Sequence, residues 1–255
     1  MSSEVALLIG ADDMSVAVAN AVRREFGDVP VLVEGRESRK LFLKRRAKRL
    51  GWLAVAGQAA FVAAAVPLLR RRSAGRIAAL AATAGLDFDR SVLDGATRVA
   101  SVNSAEATAW LKRARPKVVV VNGTRIIARR VLEATGAVFL NTHCGITPEY
   151  RGAHGAYWAL ARGDLEGCGV TVHLVDPGID TGDIVAQRRV EPGPDDNFVT
   201  YPYLQVAAGL PLLIDAVRAA LDGELEPRAR DAASGLWYHP TLWQYIANGL
   251  RRSVW

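Results

Sequence analysis

Short, wholly apolar runs recur along this chain with helix-length amphipathic stretches between them, and that alternation limits the fold more than any other feature. VALLIG (residues 5–10), VPVLVE (29–34), KVVVVN (117–122) and AVFLN (137–141) have the length and continuous apolarity of strands, and KVVVVN is of the type buried on both faces. TRVASVN (97–103) adds another strand, and Asp12 with Asp13 starts a helix over 14–26. Asn103 and Glu106 stand in capping-box spacing before AEATAWLKRA, which Pro116 closes, and a further helix is predicted over 127–133. Strand, helix and strand in alternation mean a parallel sheet. The predicted fold class is α/β: a Rossmann-like, mostly parallel sheet flanked by helices, with a short C-terminal helical appendage.

A helix over 153–162, strands GVTVHLVD (169–176) and DIVAQRRVE (183–191), the Pro-rich stretch EPGPDDN and a helix over 200–222 complete the pattern. The expected division is a Rossmann-like domain over 1–191 and a helical appendage over 192–255 packed on it. With 255 residues, 50% of them hydrophobic and 23% charged, the chain can bury a substantial core, which excludes disordered and collagen-like structure. Only Gly10 stands at the first turn, so the Gly-x-Gly-x-x-Gly fingerprint is missing and a dinucleotide is a poor fit. Cys144 and Cys168 are too few for a disulfide scaffold, and no metal-ligand spacing joins them to the four histidines, so no metal is expected. The opening MSSEVALLIG places Glu4 where a signal peptide needs a basic start. A cytoplasmic protein is the expectation.

The net charge of +6 sits in one place. Lys40, Lys44, Arg45, Arg46, Lys48, Arg49, Arg70, Arg71, Arg72 and Arg76 fall in a stretch without a single acid. They flank an apolar run over 50–69 that is long enough to span a membrane. Spanning is not expected: the run is mostly alanine, holds Gly51, Gly57 and Pro67, is basic on both flanks, and would separate the first two strands from the rest of their sheet. It reads as one or two helices that cover the sheet or lie on a surface. A peripheral contact of residues 40–76 with the inner face of a membrane is the alternative held open. Nucleic acid is the weaker partner, because only Phe42 and Trp52 interleave with the basic residues.

Chemistry gathers beyond the carboxyl ends of parallel strands. Asn141 and His143 are two apart at such an end, so an extended chain puts an amide and an imidazole on one face. The amide can receive the oxygen of an attacked carbonyl while the imidazole manages a proton. Taken alone, the pair equally suits a turn-capping asparagine and a histidine that satisfies a loop carbonyl. VDPGIDTGDIV crowds Asp176, Asp180 and Asp183 at a bend, where a carboxylate can orient a histidine or simply serve the turn.

Together the two segments say more. NTHCGITPEYRGAHGAYWALARGDLEGCGVTVHLVDPGIDTGDIVAQ resembles the signature of the formyltetrahydrofolate-dependent formyltransferases: Asn-x-His, a Pro before Tyr-Arg-Gly, a Trp-Ala helix, Gly-x-Thr-x-His and a closing Asp-x-Gly. The resemblance spans roughly residues 118–187 and touches the start of the chain only in outline. It implies a formyl donor, 10-formyltetrahydrofolate, and a primary amine acceptor, small or carrier-linked. It makes Asn141, His143 and Asp180 the catalytic trio, with Asn141 and His143 steadying the oxyanion and Asp180 holding the imidazole's charge. NGTRIIARRVL resembles the family's folate loop, where backbone groups of Arg125, Ile126 and Ile127 would meet the pterin with Asp176, Gly178 and Ile179 of the bend. Tyr150, Arg151, His154, Tyr157 and His173 become candidates for the acceptor pocket, packing and capping being their ordinary alternatives.

The departures steer the acceptor. The usual Ser-Leu-Leu-Pro after the histidine is here Gly145, Ile146, Thr147, Pro148, which removes a hydroxyl. GADDMS replaces a phosphate-cradling first loop and puts carboxylates at a helix start, which disfavours glycinamide ribonucleotide. Little chain follows Glu191, and it reads as helical, which disfavours tRNA. An amino sugar on a nucleotide or lipid carrier is the expected acceptor. The rivals are a phosphoribosylglycinamide-type transferase, a hydrolase releasing formate from formyltetrahydrofolate, and a membrane-surface binding protein on a degenerate enzyme fold. Trp237, Tyr238, His239, Trp243 and Tyr245 near the C-terminus read as core or as a contact, a homodimer included, ahead of a lid.

Overall fold

The computed structural model describes residues 3–255, apart from the side chains of Arg39 and Leu41. Seven strands form one sheet in the order β3-β2-β1-β4-β5-β7-β8. β1 (Val5–Ile9), β2 (Val31–Glu34), β3 (Thr97–Val99), β4 (Val118–Asn122) and β5 (Val138–His143) run parallel, as their apolar character requires. β6 (Arg151–Gly152) pairs outside this sheet with Leu236–Trp237, and β7 (Gly169–Leu174) and β8 (Ile184–Arg189) add an antiparallel edge. Every residue of β1 and β4 is buried, because helices cover both faces. The chain leaves β1 toward β2 and β3 on one side and returns to β4 and β5 on the other. Such a reversal opens a crevice beyond the strand ends.

One core layer gathers Leu7, Ile9 and Val120 with Val16 and Val18 of α1 (Asp13–Phe26) and Leu210, Leu213 and Val217 of α9 (Tyr201–Asp222). α9 packs directly on β5, β7 and β8 through its apolar face. The other layer sets Leu8, Leu32 and Val119 against Trp110 and Leu111 of α6 (Ala105–Ala114). α6 is capped by Ser104, whose hydroxyl accepts from the Ala107 amide. Asn103, the expected cap, is drawn elsewhere: it donates to the Ile126 carbonyl and accepts from the Ala128 amide. The helix expected over 127–133 shrinks to the single turn α7 (Arg129–Leu132), since the residues before it are held extended by these bonds.

The basic segment forms α2 (Arg39–Leu50), α3 (Trp52–Ala60), a π-helical turn over Phe61–Ala65, α4 (Val66–Arg72) and α5 (Ala74–Ala84). From Trp52 to Arg72 the helix is continuous. Pro67 has no amide to donate, and the widened turn before it lets the Val66 amide reach the Phe61 carbonyl. One side of this helix packs inward. Phe61 is fully buried against Phe198 and Tyr245, and Gly57 lies so close to Trp243 that a Cβ there would stand 2.2 Å from the ring. Trp237 stacks on Tyr150 and Trp158, and Tyr245 is buried, so those aromatics of the C-terminal region are core. α10 (Leu242–Arg252) starts from a complete capping box of Thr241 and Gln244.

Candidate active site

The crevice holds a cavity of about 340 Å³ beyond the ends of β4 and β5. Its walls bring together Asn141, His143 and Asp180, all six residues expected at the donor (Arg125, Ile126, Ile127, Asp176, Gly178, Ile179), and His154 and His173. β5 stays extended through His143, so Asn141 and His143 share a face while Thr142 takes the other. β7 sets His173 directly across from Asn141. Asp180 arrives on the loop after β7 in a left-handed conformation, φ 51°.

Hydrogen-bond partners define each group's part. His143 places Nδ1 3.3 Å from Asp180 Oδ2 and donates from Nε2 to the Tyr150 carbonyl at 2.7 Å. Both nitrogens face acceptors, so the doubly protonated ring satisfies both at once. Asp180 also accepts from the Gly152 amide at 2.9 Å. Burial would raise its carboxyl, yet the charge of His143, the nearby His173 and the Gly152 amide outweigh that and hold it at about 2. His173 donates from Nδ1 to the Leu174 carbonyl at 2.7 Å, which leaves Nε2 to accept from the Asn141 amide at 3.1 Å. The second amide hydrogen of Asn141 has no partner among the described residues, and Asn141 lines the cavity. Cys144 also lines the wall, but burial, with the charges of Asp180 and Asp12, pushes its thiol up to about 12 and rules out a thiolate nucleophile.

The loop that walls the donor side is braced from below. Buried Glu34, at the end of β2, accepts from the Arg125 backbone amide at 2.7 Å, from its guanidinium at 3.1 Å and from the Val102 amide at 2.8 Å. The Arg125 side chain also donates to the Ala100 and Gly35 carbonyls, so it locks the loop. Asn103 holds the other side. Gly123 adopts φ 68°, and a Cβ there would meet Ser15 Oγ at 2.3 Å, so only glycine lets the two loops approach. Glu34, Asn103 and the Gly152 amide escaped the sequence reading; an acid closing an apolar strand was the one visible signal. Asp176 lines the cavity and accepts from the Gly178 amide and the Thr181 hydroxyl, so its carboxylate serves its own turn.

Three candidates stand apart from the cavity. Tyr150, in the turn after β5, and Tyr157, on α8 (Gly155–Arg162), are buried in the aromatic core, where Tyr150 donates to Asp164 and Tyr157 accepts from Asn248. Arg151 reaches the Ile179 carbonyl and Ser234, bracing the bend that carries Asp180. At Gly145 a side chain has no room: a Cβ would stand 2.3 Å from the Tyr150 carbonyl. His154 forms a half-buried pair with His239, nitrogens 3.1 Å apart. Burial, then the neighbouring His239 and Arg46 charges, lowers His154 well below the usual histidine range, and burial with Arg46 brings His239 to about 4. Among the described residues no cluster of His, Cys, Asp and Glu is arranged to hold a metal ion.

Comparison with known proteins agrees with this geometry. A methionyl-tRNA formyltransferase from Anaeromyxobacter dehalogenans is 33% identical over 195 residues, covering 71% of this chain and 62% of the relative. The chain thus spans less than two thirds of the length of that enzyme. A glycinamide ribonucleotide transformylase from Symbiobacterium toebii superposes with TM-score 0.56 at 21% identity, covering 89% of this chain and 93% of its own. An N-formyltransferase from Helicobacter canadensis, crystallised with folinic acid and dTDP-3-aminofucose, superposes with TM-score 0.56 at 14% identity over 92% of this chain and 70% of its own. The family described as formyl transferase matches residues 65–203, more than half of the sequence, and the chain belongs to that family.

Proposed function

We propose that the protein transfers a formyl group from 10-formyltetrahydrofolate to a primary amine, and that the amine belongs to an amino sugar on a nucleotide or lipid carrier. The observation that carries the reaction is the His143 ring clamped between Asp180 and the Tyr150 carbonyl, beside an Asn141 amide with a free hydrogen. The donor supplies an electrophilic formyl carbon. A flat heterocycle suits a cavity lined by Arg125–Ile127 on one side and Asp176, Gly178 and Ile179 on the other, and the cavity is of the size such ligands use. Asn141 then donates to the formyl oxygen as it gains charge, and the charged His143 ring, held between Asp180 and the Tyr150 carbonyl, stabilises that charge through space. Asp180 keeps the imidazolium charged and oriented, and through water it carries the proton that the attacking amine loses toward N10 of the departing tetrahydrofolate.

The first loop supports the choice of acceptor. Asp12 caps α1, its carboxylate accepting from the Met14 and Ser15 amides, so an anion already fills the helix start where a ribonucleotide phosphate would sit. A second cavity of about 640 Å³ adjoins the first through Gly123, Thr124, Arg125, Ile126 and Ile179, and gives room for a bulkier conjugate. The Helicobacter canadensis enzyme of the same fold pairs a folate with a nucleotide-linked amino sugar. The test is tetrahydrofolate release with a panel of nucleotide-linked amino sugars, glycinamide ribonucleotide and methionyl-tRNA. Turnover of a sugar amine, lost in His143→Ala and Asn141→Ala, supports the reading. Efficient formylation of glycinamide ribonucleotide or methionyl-tRNA alone overturns the acceptor, and formate release without any amine makes the protein a hydrolase.

A further inference from the structure

The helix from Trp52 to Arg72 has two faces of opposite fate. Val55, Gln58 and Phe61 turn inward, with the Gln58 amide donating to the His239 carbonyl at 2.8 Å. On the opposite side Trp52 and Leu53 are 68% and 77% exposed, and Val62 and Leu68 are also exposed. A helix surrounded by lipid would forfeit the packed face, so this one cannot span and keep its fold. Its length and apolarity otherwise match a span, with mean hydropathy 1.8.

The charges around the bare face are unpaired. Arg45 is tied to Glu37 and Arg76 to Asp196. Lys40, Lys44, Lys48, Arg70, Arg71 and Arg72 have no acidic partner among the described residues, and all lie on α2, just before the exposed Trp52–Leu68 stretch, or on the far end of that helix itself. An exposed apolar strip with a tryptophan at one end and unpaired cations at both ends complements one surface above all, an anionic bilayer met side-on. A second copy of this chain would bring the same cations face to face.

We infer that the helix Trp52–Arg72, with α2, docks this protein in the plane of an anionic lipid surface, its exposed side chains entering the headgroup layer. Phe42 and Arg45 of α2 also wall the cavity that adjoins the catalytic one, so docking brings the mouth of the site to the bilayer. The docking itself does not depend on the proposed reaction, because it is read with no substrate present.

The experiment is sedimentation of the full chain with phosphatidylcholine vesicles, with and without phosphatidylglycerol, while Trp fluorescence is followed. Binding is expected with phosphatidylglycerol only, falling as salt rises, with a blue shift on binding. Leu53→Ser with Leu68→Ser, and separately Arg70→Gln, Arg71→Gln and Arg72→Gln together, should each weaken it about tenfold or more while circular dichroism and melting stay close to the parent. No binding to phosphatidylglycerol vesicles overturns the inference, as does binding that both variants retain. A dimer in solution that buries Trp52, or DNA binding that persists where vesicle binding is absent, assigns the face to another occupant and overturns it equally.

Discussion

Asp180→Asn separates the electrostatic part of the site from its shape. Asparagine tolerates the left-handed backbone that residue 180 adopts and is nearly isosteric, so the variant removes a charge with little steric change. The carboxyl titrates at about 2 in the fold against an ordinary value of 3.8. At 1.36 kcal/mol per unit the depressed value contributes about 2 kcal/mol of stability. A lowered carboxyl stabilises the fold at every pH above the unfolded value and loses that contribution as pH falls toward the folded one. Chemical unfolding of parent and variant should therefore differ by about 2 kcal/mol at pH 5, by roughly half that at pH 3, and by little at pH 2. The same substitution should lower kcat by about 10²–10⁴-fold with a small change in donor KM, because His143 loses the group that holds its charge. A stability gap that is equal at pH 5 and pH 2, or an unchanged kcat, refutes the account of Asp180.

Two further substitutions probe the donor wall. Glu34→Gln loses the carboxylate that gathers the Arg125 and Val102 amides, so donor KM should rise about tenfold or more while kcat holds, as read from initial rates across donor concentrations. Gly123→Ala forces a side chain onto Ser15 at a positive φ and should cost about 1–3 kcal/mol in denaturant unfolding. A Gly123→Ala protein as stable as the parent would mean that the two loops can part.

The sheet was legible because its strands are short, continuous and apolar: KVVVVN and VALLIG have no other stable home, and the structure pairs them in register from Val5 with Val118 to Ile9 with Asn122. The shared face of the candidate site was legible for a related reason, since strand periodicity alone fixes Asn141 and His143 on one side. Strand direction at the far edge was not, because antiparallel pairing of β7 depends on a crossing over the sheet that no local pattern records. The cap of α6 misled for a physical reason as well. Ser104 and Asn103 are both capping residues, and the choice went to Ser104 because a loop distant in sequence, at Ile126 and Ala128, needed both ends of the Asn103 amide. Tyr150 and Tyr157 looked like pocket residues by their place after the catalytic turn, yet the aromatic cluster around Phe198 and Tyr245 holds Tyr157 inward and Trp237 stacks on Tyr150.

The site contains two imidazoles within reach of one carboxylate, and the partners give them opposite duties. His143 meets an acceptor at each nitrogen, so its ring is fixed in place. His173 meets a carbonyl at Nδ1 and an amide hydrogen at Nε2, and its distance of 3.6 Å from Asp180 is too long for a hydrogen bond. A neutral His173 is thus the form that keeps the Asn141 amide, with its second hydrogen unpartnered among the described residues, in place at the cavity. Protonation of His173 would place two donors against each other and swing the amide away. His173→Phe should then behave as a positioning defect: the ring volume is kept, the acceptor for Asn141 is gone, and kcat should fall about 10–10²-fold with donor KM nearly unchanged. His173→Asn, which can present an oxygen to the Asn141 amide, should recover part of that loss. If the two variants are equally impaired, or if both leave kcat at the parent level, the hydrogen bond from Asn141 is not what aims its amide.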